Sequence, residues 1–185
     1  MGCSSMMRAT RQLPLHLMRI VSTVLVAVLF ATTLSGQGKG RVPDLGDCDH
    51  LQAPAGNRLF FRVFAEGVQI YSWNGTSWVF VAPEADLFAD AGGAGLVGTH
   101  YAGPTWESLS GSKVVAAVDQ RCTVSAGDIQ WLLLRAVSTD GPGPFNGVTY
   151  IQRLNTSGGV APATPGTTVG QIARVPYTTE YYFYR

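Results

Sequence analysis

The densest group of side chains able to do chemistry is His100-Tyr101, Gly103-Pro104 and Trp106-Glu107, with Glu84 on a separate segment. A histidine that titrates near neutrality beside carboxylates can relay protons. A hydrolase or isomerase using His100 with Glu107 or Glu84 is therefore one expectation, provided the three side chains meet in a cleft. Tyr101 and Trp106 carry a different one, because aromatic faces combine apolar area with a polar tip and suit sugars or another protein. The structural alternative makes Gly103-Pro104 a turn, places Trp106 in the core and lets His100 or Glu84 bond to backbone at a loop.

Other routes to an activity lack their residues. Beyond residue 36 the chain has two histidines, His50 and His100, with no His-x-His, His-Glu-x-x-His or cysteine cluster, so no metal site is expected. No Gly-x-Ser-x-Gly elbow offers a serine nucleophile. Gly93-Ala-Gly95-Leu-Val-Gly98 has the spacing of a dinucleotide-binding loop, with Asp119 downstream. Such a loop works by opening a helix whose amides hold the pyrophosphate, and Thr99-His-Tyr-Ala-Gly-Pro104 cannot be that helix. A glycine-rich loop between strands is expected instead, and no cofactor. The leading expectation is a non-enzymatic domain with a binding or structural role.

The elements that must hold these residues read as strands. Asn57 to Ala65, Gly67 to Trp73, Ser77 to Ala82, Thr105 to Leu109, Lys113 to Val118, Ile129 to Ser138, Gly147 to Leu154 and Tyr177 to Arg185 are rich in Val, Ile, Phe, Tyr and Trp. Gly, Pro, Asn and Asp separate them. Asn74-Gly75 predicts a hairpin through a two-residue type I′ turn, and Ser110-Gly111 a second hairpin. Pro83 to Phe88 predicts one short turn of helix. The fold class is all-β: a single antiparallel β-sandwich or Greek-key barrel of about seven to nine strands with little helix.

The N-terminus defines the compartment. Arg8, Arg11 and Arg19 precede an apolar run from Ile20 to Leu34, and no acid occurs before Asp44. The run is about fifteen residues, whereas a membrane-crossing helix needs roughly twenty, so it predicts a signal peptide over residues 1–36 cleaved near Gly36, and no permanent membrane anchor. Met18 is a second possible start. Gln37 stands where a lipoprotein would need cysteine, and Met6 breaks a myristoylation pattern. Residues 37–50 read as a flexible leader and 51–185 as one β domain, secreted or periplasmic. The remainder has ten basic and twelve acidic residues, a net charge of −2, which gives no basic footprint for nucleic acid. Its 18 aromatics among 149 residues exceed what a core of this size obviously needs, and extracellular carbohydrate or protein is the expected partner class. Cys48 and Cys122 are then the two cysteines left, an even pair that invites a disulfide in an oxidising compartment.

Several long motifs occur together: Trp78-Val-Phe-Val-Ala-Pro-Glu-Ala-Asp-Leu87, Val97-Gly-Thr-His-Tyr-Ala-Gly-Pro-Thr-Trp-Glu107 with Gly111-Ser-Lys-Val114, Trp131-Leu-Leu-Leu-Arg-Ala136, Gly147-Val-Thr-Tyr-Ile-Gln-Arg-Leu-Asn155, and the ending Val175-Pro-Tyr177 with Tyr181-Tyr-Phe-Tyr184. In these the chain resembles the secreted domain-of-unknown-function family 3455 of bacteria and fungi, over about Leu51 to Tyr184. The resemblance implies no activity. Some fungal members carry a malate dehydrogenase label, which the failed glycine loop does not support. Members often place a cysteine after the Ala-Pro-Ala-Thr segment; this chain has Pro165 there, which weakens the expected Cys48–Cys122 pairing.

Overall fold

The computed structural model describes residues 42–185, so the expected signal peptide and the expected cleavage near Gly36 lie outside the described residues. Eight strands follow one another: β1 (Leu59–Trp73), β2 (Trp78–Phe88), β3 (Leu96–Tyr101), β4 (Thr105–Ser108), β5 (Lys113–Cys122), β6 (Trp131–Asp140), β7 (Tyr150–Gly158) and β8 (Ile172–Tyr184). Each pairs antiparallel with the next, and β8 pairs back onto β1 from Leu59↔Tyr184 to Ser72↔Ile172, closing a barrel. The all-β antiparallel class stands. The strand order is sequential rather than Greek key, and closure leaves no sheet edge to protect.

Several boundaries differ from those expected. The two segments read on either side of Glu66 are one continuous fifteen-residue strand, β1. The segment from Pro83 to Phe88 is not helical but the second half of β2, with Ala85 and Leu87 buried in alternation. Pro83 is tolerated because β3 pairs with β2 only from Ala85 onward, so its missing N–H costs no bond on that side. The glycine-rich run ends in a strand, β3, that the sequence reading missed. At the first hairpin, Trp73 pairs with Trp78, which leaves a four-residue loop rather than a two-residue turn. Its tip is held by the Asn74 side chain, whose Oδ1 accepts from Thr76 N at 2.9 Å and Ser77 N at 2.8 Å.

Gly67 and Gly98 both lie where neighbouring backbone leaves no room. A Cβ on Gly67 would fall 2.2 Å from the Glu84 carbonyl oxygen, and one on Gly98 2.2 Å from that of Glu107. Glycine here permits the tight coiling that closure demands. Gly67→Ala is expected to cost about 1–3 kcal/mol, as overpacking does; urea denaturation measures it, and an unchanged midpoint would contradict the argument.

One end of the barrel is packed shut. Phe61 and Phe183 stack at 4.6 Å, and Phe145, from the β6–β7 connection, lies 5.0 Å from Phe183. Phe145 N donates to Ser112 Oγ at 3.2 Å, which pins the connection to the β4–β5 turn. Trp106, which the structural alternative placed in the core, is fully buried and lies with these rings in the interior cluster.

A second apolar cluster lies outside the barrel wall. Strand alternation points Leu132 and Leu134, Tyr181 and Phe183 inward, and therefore Leu133, Leu154, Tyr182 and Tyr184 outward. These outward residues are buried because the N-terminal segment lies over them. A 3₁₀ turn, Gly46–Leu51, brings Leu45, Cys48 and Leu51 against the wall. Gln152 Nε2 donates to Leu51 O at 2.7 Å, and the Tyr184 hydroxyl donates to Gln152 Oε1 at 2.5 Å. The disulfide joins Cys48 to Cys122 with Cα atoms 5.9 Å apart, so the pair forms without a cysteine at position 165. From Val42, the chain read as leader is a strap.

Candidate functional site

His100 and Trp106 face each other across β3 and β4 on the inner wall. Their rings stack at 4.2 Å, and Tyr181 meets the imidazole edge-on at 5.1 Å. His100 Nδ1 donates to the Thr105 carbonyl at 2.8 Å, which leaves Nε2 as the acceptor nitrogen of a neutral ring. Burial pushes the imidazole down to about 3, so it is uncharged at neutral pH.

The carboxylates expected beside it are elsewhere. Glu107 follows Trp106 in the same strand and so points out of the barrel, where it accepts from the Tyr101 hydroxyl at 2.6 Å and lies 3.7 Å from Lys113 Nζ. That bond holds the Tyr101 hydroxyl above its ordinary pKa. Glu84 is exposed and paired with Arg174 at 2.8 Å, which holds its carboxyl below the usual range. The wall therefore separates His100 from both acids, and Tyr101 from Trp106. Among the described residues no three His, Cys, Asp or Glu side chains gather as metal ligands.

The end of the barrel opposite the Phe61 stack is open and holds a cavity of about 600 Å³. It is reached between the β1–β2 hairpin, the β3–β4 turn at Gly103-Pro104 and the longer β5–β6 and β7–β8 connections. Its walls are mostly apolar, with Phe80, Val118, Leu132 and Leu134 among them. A bulge contributes: Ile70 pairs with Ala82 but Tyr71 with Phe80, so Val81 is the extra residue, and Phe80 and Val81 both reach the cavity. The β7–β8 connection is tied down by Trp78 Nε1, which donates to Thr164 O at 2.9 Å, and by the Tyr71 hydroxyl, which donates to Gly159 O at 2.7 Å.

Polar groups in these walls are few. Arg153, half-buried on β7, sends Nε and Nη2 to the Gln130 carbonyl at 3.1 and 2.8 Å. Gln69 Nε2, Trp106 Nε1 and the Tyr181 hydroxyl belong to lining residues, are buried, and find no hydrogen-bond partner among the described residues. At the rim Asp128 accepts from Gly158 N at 2.6 Å, which lowers its carboxyl pKa.

Residues 54–185 match the family model described as Protein of unknown function (DUF3455). The chain belongs to that family. No curated protein and no solved structure matches it. The DUF3455 match begins at Pro54, so it takes in all eight strands and every cavity-lining residue, while the strap and Cys48 precede it.

Within this DUF3455 domain the expected site residues divide by the wall. His100 and Trp106 join the cavity; Tyr101, Glu107 and Glu84 stay outside it. Sequence reading missed Gln69, Arg153 and Tyr181. The available signal was Arg153 two residues after Ile151 in a strand, since an arginine on the inner face of a barrel is an exception to its pattern.

Proposed function

We propose that this DUF3455 domain is an exported binding protein that takes one small, largely apolar molecule into the open end of its barrel and does not transform it. The observation carrying this is the cavity of about 600 Å³, a size typical of small-molecule sites, in a barrel of eight strands, the size that encloses one such ligand. An apolar ligand fits better than a sugar, because among the lining Tyr, Trp and Phe side chains Tyr71, Trp106 and Tyr181 are buried in the wall, and the displayed one, Phe80, has no polar tip. Among the described residues neither Glu84 nor Glu107 stands beside His100 to complete an acid–base pair. Export is supported by the apolar N-terminal run and by a disulfide suited to an oxidising compartment. Among the described residues no helix is long and apolar enough to cross a membrane.

Titration with the neutral dye N-phenyl-1-naphthylamine tests the reading. Dye fluorescence should rise and saturate at one molecule per chain. Val118→Trp, which fills the cavity from β5, should weaken binding at least about tenfold without lowering the melting temperature. Absence of saturable binding to the native protein would end the proposal.

A further inference from the structure

We propose that the ligand of this cavity is an apolar monocarboxylate whose headgroup pairs with Arg153. The inference rests on the binding function above and narrows it to a chemical class.

Arg153 is on the inner face of β7, in register with Leu132 of β6 and Tyr181 of β8. Both bonds it makes go to one backbone carbonyl, that of Gln130. They use two of the five guanidinium donors and fix the plane of the group. The three salt bridges among the described residues, Arg62–Glu180, Lys113–Glu107 and Arg174–Glu84, do not include it. The acid that shares the cavity, Asp128, is held at the rim by the Gly158 amide.

A cation drawn half into an apolar wall without a counter-charge gives up hydration that a single carbonyl replaces only in part. Tyr71, Tyr177, Tyr181 and His100, which lie within reach of its charge, are uncharged at neutral pH and supply no counter-ion. Arg121, the other cation among the lining residues, is exposed and keeps its hydration.

The unmatched groups are also mostly of one kind. Arg153, the Trp106 indole N–H and the Gln69 amide N–H offer hydrogens, the Tyr181 hydroxyl can donate or accept, and His100 Nε2 accepts. A donor-rich wall selects a group that only accepts. A carboxylate does so, and its two oxygens suit the guanidinium fork. One buried-side cation balances one negative charge, which favours a monocarboxylate over a dianionic phosphate. The apolar remainder of the cavity then houses a hydrocarbon or aromatic body.

The test is displacement of N-phenyl-1-naphthylamine from the native protein by decanoate and by 1-decanol at pH 7.5. Decanoate should displace the dye at a concentration at least about tenfold lower than the alcohol. Arg153→Met should erase that preference while still binding the dye, and Arg153→Lys should keep part of it, as a charge without the fork. Equal displacement by acid and alcohol, or a preference that survives in R153M, overturns the monocarboxylate while leaving the binding function intact. Failure of the dye itself to bind removes both. If R153M does not fold, the comparison of acid with alcohol on the native protein still decides.

Discussion

Replacing Cys48 and Cys122 together with alanine should cost the domain about 4 kcal/mol of stability. The bridged residues are 74 positions apart, and closing a loop of that length in the unfolded chain carries an entropy cost of this order in the chain-entropy account. The effect should extend beyond loop entropy, because the bond fastens the strap of Leu45, Cys48 and Leu51 over outward-facing Leu133, Leu154, Tyr182 and Tyr184. Urea denaturation of native and double-alanine proteins measures the loss. Hydrogen exchange should show the strap amides, such as Cys48 N bonded to Leu45 O, losing protection before the barrel amides do. A loss below about 1 kcal/mol would mean that the strap holds by packing alone.

Acid should destabilise the domain through His100. Its folded-state pKa is held near 3 by burial, against 6.5 for the unfolded chain. Below pH 6.5 the unfolded chain takes up a proton that the folded one refuses. Stability is therefore constant above that pH and falls as pH drops towards 3, by about 1.4 kcal/mol per unit through most of the window. Between pH 7 and pH 4 the loss is about 3 kcal/mol. Glu84 and Asp128, whose carboxyls are held low, add a smaller loss in the same direction near the acid end. Chemical denaturation at pH 7, 5.5 and 4 reads the slope, and His100→Gln, which keeps a donor for the Thr105 carbonyl but cannot ionise, should flatten it above pH 4. An identical slope in both proteins would show that some other group governs the acid response.

Much of the fold was legible because it depends on local pattern. The β-branched and aromatic runs named seven of the strands at least in part, Asn74-Gly75 marked its hairpin, and two remaining cysteines had one partner each. Closure was not legible, because the pairing of β1 with β8 joins residues a hundred or more positions apart and leaves no local mark. β3 was missed for a different reason: its six residues include Gly98, which serves close backbone approach and imitates a nucleotide loop by spacing alone.

The misplaced site is instructive in the same terms. Trp106 and Glu107 are consecutive, so once they stand in a strand they cannot share a face, and the expected acid–base group was already divided. Arg153 was hidden by the opposite effect. From Ile151 to Leu154 three of four residues are buried, because the strap covers the outer face, and a strand buried on both sides shows no alternation to read. The same holds for Leu132-Leu133-Leu134, of which the outer two look into the barrel and the middle one is under the strap.

The pairing of the first strand with the last also sets the order in which the protein can be made. Until Ile172–Tyr184 has left the ribosome, or has cleared whatever pore the chain is threaded through, β1 presents fifteen residues of unpaired edge. Barrel completion thus waits for the last strand and has a long loop to close, slow by the standards of small domains, and the waiting intermediate has the open edge on which chains stick to one another. A partner that covers β1 during that interval would prevent aggregation and would have to leave before the barrel could shut.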